Sequence, residues 1–95
     1  MTFQQLRYAI GIADGGSFSK AAARLFVSQP SLTASIRQLE EELGLVLFDR
    51  TVHGATPTRE GEAFIAEARQ LYAGFDGLRR RYGEGRRRKT RFAVS

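Results

Sequence analysis

Residues 17–50 read SFSKAAARLFVSQPSLTASIRQLEEELGLVLFDR. The run divides into a short helix, a tight turn, a longer helix that opens with polar residues, and a short apolar strand. That order is the outline of a helix-turn-helix followed by a wing. The longer helix has one apolar face and one face of small polar side chains. A face of the second kind has little to pack against inside a domain, but it fits the major groove of DNA.

Working outward from this run, Ser19 reads as the N-cap of a short helix ending at Leu25. Its Ala21-Ala22-Ala23 segment combines high helix propensity with side chains small enough for close crossing by another helix. Phe26-Val27 form the turn. Ser28 caps the next helix, and Pro30 falls in its first turn, where a missing N–H is no loss. Leu32, Ile36, Leu39 and Leu43 make a buried stripe, and Gly44 ends the helix. Upstream, Thr2 with Gln5 forms a capping box, Phe3, Leu6, Ile10 and Ala13 follow at helical spacing, and Gly15-Gly16 stops the helix.

Downstream, Leu45–Asp49 is too short and too apolar for another helix. With Ala55-Thr56-Pro57 it predicts a two-stranded ribbon whose tip is Thr51-Val52-His53-Gly54. Thr58 then caps a long helix. Along it Gly61, Phe64, Ala68, Leu71, Phe75, Leu78 and Tyr82 alternate at spacings of three and four, a heptad seam. Gly74 and Gly77 lie off the seam, and Gly83 and Gly85 predict fraying near the end. Thr90–Ser95 reads as the start of a β-strand with nothing after it to pair with, as at a domain boundary. The expected fold is therefore mainly α: a winged helix-turn-helix, with a three-helix core and a two-stranded β wing, followed by a long linker helix.

Bulk properties narrow the function classes. Ninety-five residues make one small domain with a modest core. There are no cysteines, which excludes disulfides and Cys-based zinc sites. The N-terminus lacks the basic start and apolar run of a signal peptide, and no stretch approaches a membrane span. A soluble intracellular protein without membrane contact is expected. The net charge of +5 sits at one end: residues 79–95 sum to +7 and residues 1–78 to −2. The high pI therefore belongs to the tail, and the case for a nucleic-acid partner rests on the placement of polar groups.

That placement is on the longer helix. Off its buried stripe, near its N-terminus, lie Gln29, Pro30, Ser31, Thr33, Ala34 and Arg37. The first turns of a recognition helix are the part that reaches base edges. Gln pairs with adenine, Pro, Ala and the Thr methyl meet thymine methyls, and Arg reaches guanine or phosphate. Ser28 and the free N–H groups of the first turn suit a phosphate. Glu40-Glu41-Glu42 lies at the opposite end of the helix, clear of phosphates. Arg50 and His53, near the ribbon tip, are placed to enter a minor groove or touch phosphate.

The same run, with FQQLRYAIGIADGG before it and TPTREGE after it, resembles the DNA-binding domain of LysR-type transcriptional regulators. The resemblance spans Phe3 to the end of the long helix. It implies a winged helix-turn-helix domain over 1–58, a linker and dimerisation helix over 59–89, and the start of an effector-binding domain at 90–95. By that likeness Gln29 and Pro30 contact bases, and Ser28, Ser31 and Arg50 contact backbone. Double-stranded DNA would be the partner, read as an interrupted inverted repeat by a homodimer joined through Phe64, Ala68, Leu71, Phe75, Leu78 and Tyr82. Higher oligomers are expected for a full-length regulator, in a prokaryotic cytoplasm. No cofactor is expected in this chain; a small-molecule effector would belong to the further domain. The family often has a Ser-Arg-Gln-type triplet where this chain has Thr33-Ala34-Ser35, so the DNA sequence read does not carry over.

Two other classes compete. An enzyme has little to stand on: one His, no Cys, no Gly-rich phosphate loop, and consecutive glutamates that spread around a helix instead of converging. An architectural or protein-interaction winged-helix module would use the basic tail or the heptad seam and would lack strong sequence specificity. It would leave the alanine-rich helix, the SQPS cap and the wing without a common explanation.

Overall fold

The computed structural model describes residues 1–84. The element order is α1 (Phe3–Gly15), α2 (Phe18–Leu25), α3 (Gln29–Leu43), β1 (Phe48–Thr51), β2 (Gly54–Pro57) and α4 (Arg59–Glu84). This is the expected winged helix-turn-helix with a long helix behind it. The far end of the expected linker, the arginine-rich run 86–91 and the strand start at 90–95 lie outside the described residues.

Local chemistry fixes the helix ends. Thr2 and Gln5 form the expected capping box on α1, and Gly16 closes that helix in the left-handed conformation at φ 78°. Ser28 caps α3 by accepting from the Ser31 N–H at 3.2 Å. Gly44 ends α3 at φ 68°. One expected cap is corrected. The N-cap of α2 is Ser17, whose Oγ accepts from the Lys20 N–H at 3.0 Å, and Ser19 lies inside the helix. The apolar stripe of α2 begins at Phe18, so the cap must precede it.

The core gathers α1, α2, α3, the wing root and the first turns of α4. Ile12, Leu32, Ile36, Leu39 and Leu47 are fully buried. Each such side chain stabilises the fold by about 1.5–3 kcal/mol. On α3 the expected stripe holds, with Leu43 packed at its margin. On α1 it shifts: the buried face is Leu6, Tyr8, Ala9 and Ile12, while Phe3, Ile10 and Ala13 are half-buried. The reason is position. α1 packs on α2, α3, α4 and β2 at once, so more than one stripe is covered. Even Gln5 is buried, and its Nε2 donates to the Ser35 carbonyl of α3 at 3.3 Å.

The wing is an antiparallel pair in the register Phe48↔Pro57, Asp49↔Thr56, Arg50↔Ala55, Thr51↔Gly54. It begins at Phe48, three residues later than the apolar run suggests. Leu45–Leu47 stays out of the ladder because its polar groups are taken elsewhere. The Leu47 N–H donates to the Glu40 carboxylate at 2.7 Å, and the Leu47 carbonyl accepts from the Thr58 N–H at 2.9 Å. The strand pair is also anchored to the helices. The Ala55 N–H donates to the Gly16 carbonyl at 2.8 Å, beside Gly54, where a Cβ would stand 2.3 Å from that same oxygen.

Candidate nucleic-acid interface

The candidate residues sit on one side of the molecule because three elements converge there. Val27 tucks its N–H onto the Ala22 carbonyl, and Phe26 takes the left-handed conformation at φ 60°, so the chain turns sharply from α2 into α3. The first turns of α3 then project away from the core. Ser28, Gln29, Pro30, Ser31, Ala34 and Arg37 are all exposed, and Thr33 is half-buried. On the opposite side of the same helix Leu32, Ile36 and Leu39 are buried. The helix therefore shows solvent a face of small polar groups and one arginine.

Arg50 is placed differently from the sequence expectation. It pairs with Ala55 in the middle of the ribbon, and its guanidinium lies 3.9 Å from the centre of the Phe18 ring. Its Nη1 is 3.5 Å from Thr33 Oγ1, too long to hold the side chain by itself. Stacking on Phe18 turns the guanidinium toward α3, beside the wing root. His53 alone of the pair occupies the tip, where Val52 and His53 make the two-residue connection. Both are exposed, Val52 at 96%.

A shallow cleft between the start of α2 and the wing brings Ser17, Ser19, Lys20, Gln29, Arg50 and His53 together. Ser19, read from sequence only as a cap, and Lys20 were not among the DNA-contact candidates. The signal was available in Phe18, Ala21, Ala22 and Leu25, whose spacing starts the helix at residue 18 and leaves the Ser19 hydroxyl free of capping. That hydroxyl donates to Gln29 Oε1 at 3.2 Å. Lys20, Arg24, Arg37 and Arg50 are all exposed basic groups of α2, α3 and the wing. Of the acidic triplet, Glu41 and Glu42 are exposed near the far end of α3, and Glu42 pairs with the N-terminal ammonium. Glu40 instead turns inward to hold the Leu47 N–H. The result is a polarised surface, basic around the start of α3 and acidic at its end.

The dimerisation candidates divide. Ala68 is buried and Phe64 packs against the core, whereas Leu71, Phe75, Leu78 and Tyr82 are 58%, 41%, 50% and 67% exposed. Phe75 also packs edge-on against Phe3, with ring centres 4.0 Å apart. Among the described residues no group of three or more His, Cys, Asp or Glu side chains could hold a metal, and no helix is long and apolar enough to cross a membrane.

Comparison with known proteins gives this architecture its relatives. The family described as bacterial regulatory helix-turn-helix proteins, lysR family, matches residues 3–62. The HTH-type transcriptional regulator ClcR of Pseudomonas putida is 48% identical over 71 residues, covering 75% of this chain and 24% of ClcR. TfdT of Cupriavidus pinatubonensis is 44% identical over 73 residues, covering 77% of this chain and 32% of TfdT. The chain thus spans about a quarter to a third of the length of these curated relatives. Among solved structures, the CbnR DNA-binding domain in complex with DNA superposes with a TM-score of 0.76 at 42% identity, over 88% of this chain and 99% of that one. The BenM DNA-binding domain on its benA site 1 DNA does so with a TM-score of 0.81 at 34% identity, over 88% and 98%. The buried stripe of α3, the sharp turn before it and the wing behind it are thus one instance of a shared arrangement, and the chain belongs to the lysR family of bacterial regulatory helix-turn-helix proteins.

Proposed function

We propose that this chain is the DNA-binding part of a transcription regulator and reads sequence with the start of α3. The carrying observation is the contrast across that helix: Leu32, Ile36 and Leu39 are buried, while Gln29, Pro30, Ala34 and Arg37 project outward. Gln29, Pro30, Thr33 and Ala34 reach base edges, with Arg37 on a base or phosphate. Ser28, Ser31 and Arg50 hold the sugar-phosphate backbone, and His53 approaches it from the wing tip. The DNA complexes of the CbnR and BenM domains support this reading.

Under the same proposal the regulator works as a homodimer joined through the exposed part of α4, and the linker runs over 59–89, of which α4 is the described part. Leu71, Phe75, Leu78 and Tyr82 form a long apolar stripe of the kind that monomers avoid. A two-fold dimer favours an inverted repeat with half-sites one or two helical turns apart. The test is selection of duplexes from a random pool, followed by gel shifts on the winning sequence and on random DNA. Gln29→Ala should cost about 1–3 kcal/mol on the selected site and much less on random DNA. Equal losses on both would reject base reading by Gln29. Inserting about 5 base pairs, half a turn, between half-sites should abolish the dimer's advantage; unchanged affinity would reject the symmetric arrangement.

A further inference from the structure

We propose that Ser19 is a specificity-positioning residue: its hydroxyl holds the Gln29 carboxamide in place, so that α2 helps set how strictly α3 reads its base. The inference rests on the DNA-reading role proposed above. Its observation is the hydrogen bond from Ser19 Oγ to Gln29 Oε1, at 3.2 Å, between two exposed side chains on different helices.

Three features make this contact more than an incidental surface bond. First, Ser19 is free for it. Ser17 supplies the cap of α2 through the Lys20 N–H, so the Ser19 hydroxyl has no capping duty. Second, the two helices are held rigidly at this point. The turn between them is closed by the Val27 N–H on the Ala22 carbonyl, and Ala21, Ala22 and Leu32 are buried beneath it. Third, the geometry leaves the reading atoms available. A carboxamide oxygen has two lone pairs, so Oε1 can accept from Ser19 and from an adenine N6–H together, while Nε2 keeps both hydrogens for N7.

The physical effect is on ordering. A free glutamine loses rotamer freedom when it pairs with a base, and it can present its amide either way round. The bond to Ser19 holds the carboxamide beside α2 before DNA arrives, and so restrains its rotamers, whichever amide atom faces the hydroxyl. That lowers the ordering cost where Gln29 pairs with a base edge and gains nothing where Gln29 makes no base contact. Folding gains little, since the bond lies in solvent.

The experiment uses the chain with Ser19→Ala, Ser19→Thr, Gln29→Ala and the double variant Ser19→Ala/Gln29→Ala. Affinities are measured on the duplex selected by the wild-type chain, on the same duplex with the Gln29-dependent base pair replaced, and on random DNA. Ser19→Ala should lower the ratio of selected-site to random affinity by about 3–10-fold. It should relax the base preference at that one pair and leave the melting temperature unchanged. Ser19→Thr, which keeps the hydroxyl, should restore the preference. In the Gln29→Ala background Ser19→Ala should change nothing further. A loss that persists in that background, or one equal on selected and random DNA, would show direct backbone contact by Ser19 and overturn the proposal. An unchanged ratio in Ser19→Ala, with Gln29→Ala still losing specificity, would overturn it while leaving DNA reading intact. Absence of any sequence preference in the wild-type chain would reject the DNA-reading role and this inference with it.

Discussion

Residues 59–68 and 71–82 lie on the same helix, α4, and continue the same alternation of apolar residues at spacings of three and four. Their surroundings differ. In the first stretch Gly61, Ile65 and Ala68 are buried and Phe64 packs against the core. Ile65 is buried although it lies off the seam, because a helix docked on a globular core covers a wider face than a coiled-coil stripe. In the second stretch the repeat runs beyond the domain. Leu71, Leu78 and Tyr82 are mostly exposed, while Phe75, with Tyr72, packs against Phe3. One rhythm thus serves two ends: it closes the core of the domain, then offers a face that the domain does not cover.

The sharpest way to break this contrast is to place a methyl group in each stretch. A Cβ at Gly61 would stand 2.0 Å from the Leu47 carbonyl oxygen and 3.1 Å from Thr58 Oγ1, which caps α4. The Leu47 oxygen belongs to backbone already fixed by the Thr58 N–H, so it cannot step aside cheaply. Gly61→Ala should therefore cost about 3 kcal/mol, at the upper end for overpacking, read by urea denaturation. A variant as stable as wild type would show that the start of α4 is not seated as described.

Truncation of the apolar groups comes next. Ile65→Ala should cost about 2–3 kcal/mol, because it opens a cavity beside the core. Leu71→Ala, measured at a concentration where the chain is monomeric, should cost less than about 0.5 kcal/mol, as expected of an exposed position. Comparable losses would erase the boundary between the two stretches. Leu71→Asp asks what covers the second one. It should weaken self-association at least about 10-fold, or about 1.4 kcal/mol, in sedimentation or light scattering, with monomer stability kept. Wild-type assembly in that variant would remove Leu71 from the dimer contact.

Smaller effects sharpen the picture. Nothing lies within 4 Å of a Cβ built at Gly74 or Gly77. Gly74→Ala and Gly77→Ala should each stabilise α4 by about 1 kcal/mol through helix propensity, opposite in sign to Gly61→Ala. Helicity by circular dichroism and the melting temperature would check this. The smallest effect concerns Asp76, whose carboxylate accepts from Arg79 at 2.6 Å and from Arg80 at 2.7 Å. These hydrogen bonds hold its pKa below the usual carboxylate value. A lowered folded-state pKa adds stability above the unfolded value, and this is lost as pH falls through the folded one. Asp76→Asn should therefore melt slightly below wild type at neutral pH and converge with it in acid. Solvent around the pair keeps the difference small.

Most of the local structure is encoded in short stretches of the chain. Thr2, Ser28 and Thr58 cap helices as their chemistry dictates, Gly16 and Gly44 end them, and the Leu32–Ile36–Leu39 stripe faces inward. These are short-range rules, each linking residues three or four apart. The lysR-type pattern was legible for the same reason, since turn, cap and stripe occur in one run. Other features depend on groups distant in sequence that meet when the chain folds. In sequence Glu40 is one of three consecutive acids clear of phosphates; only the fold brings the Leu47 N–H to its carboxylate. Arg50 looked like a wing-tip charge until the Phe18 ring drew it back toward α3. The link from Ser19 to Gln29 crosses the turn between two helices, and helical periodicity carries no information about such a crossing. The division of α4 is of the same kind. Spacing says which residues share a face, but whether that face is buried depends on what stands opposite, and that is set by the packing of α1 and the wing root on the helix.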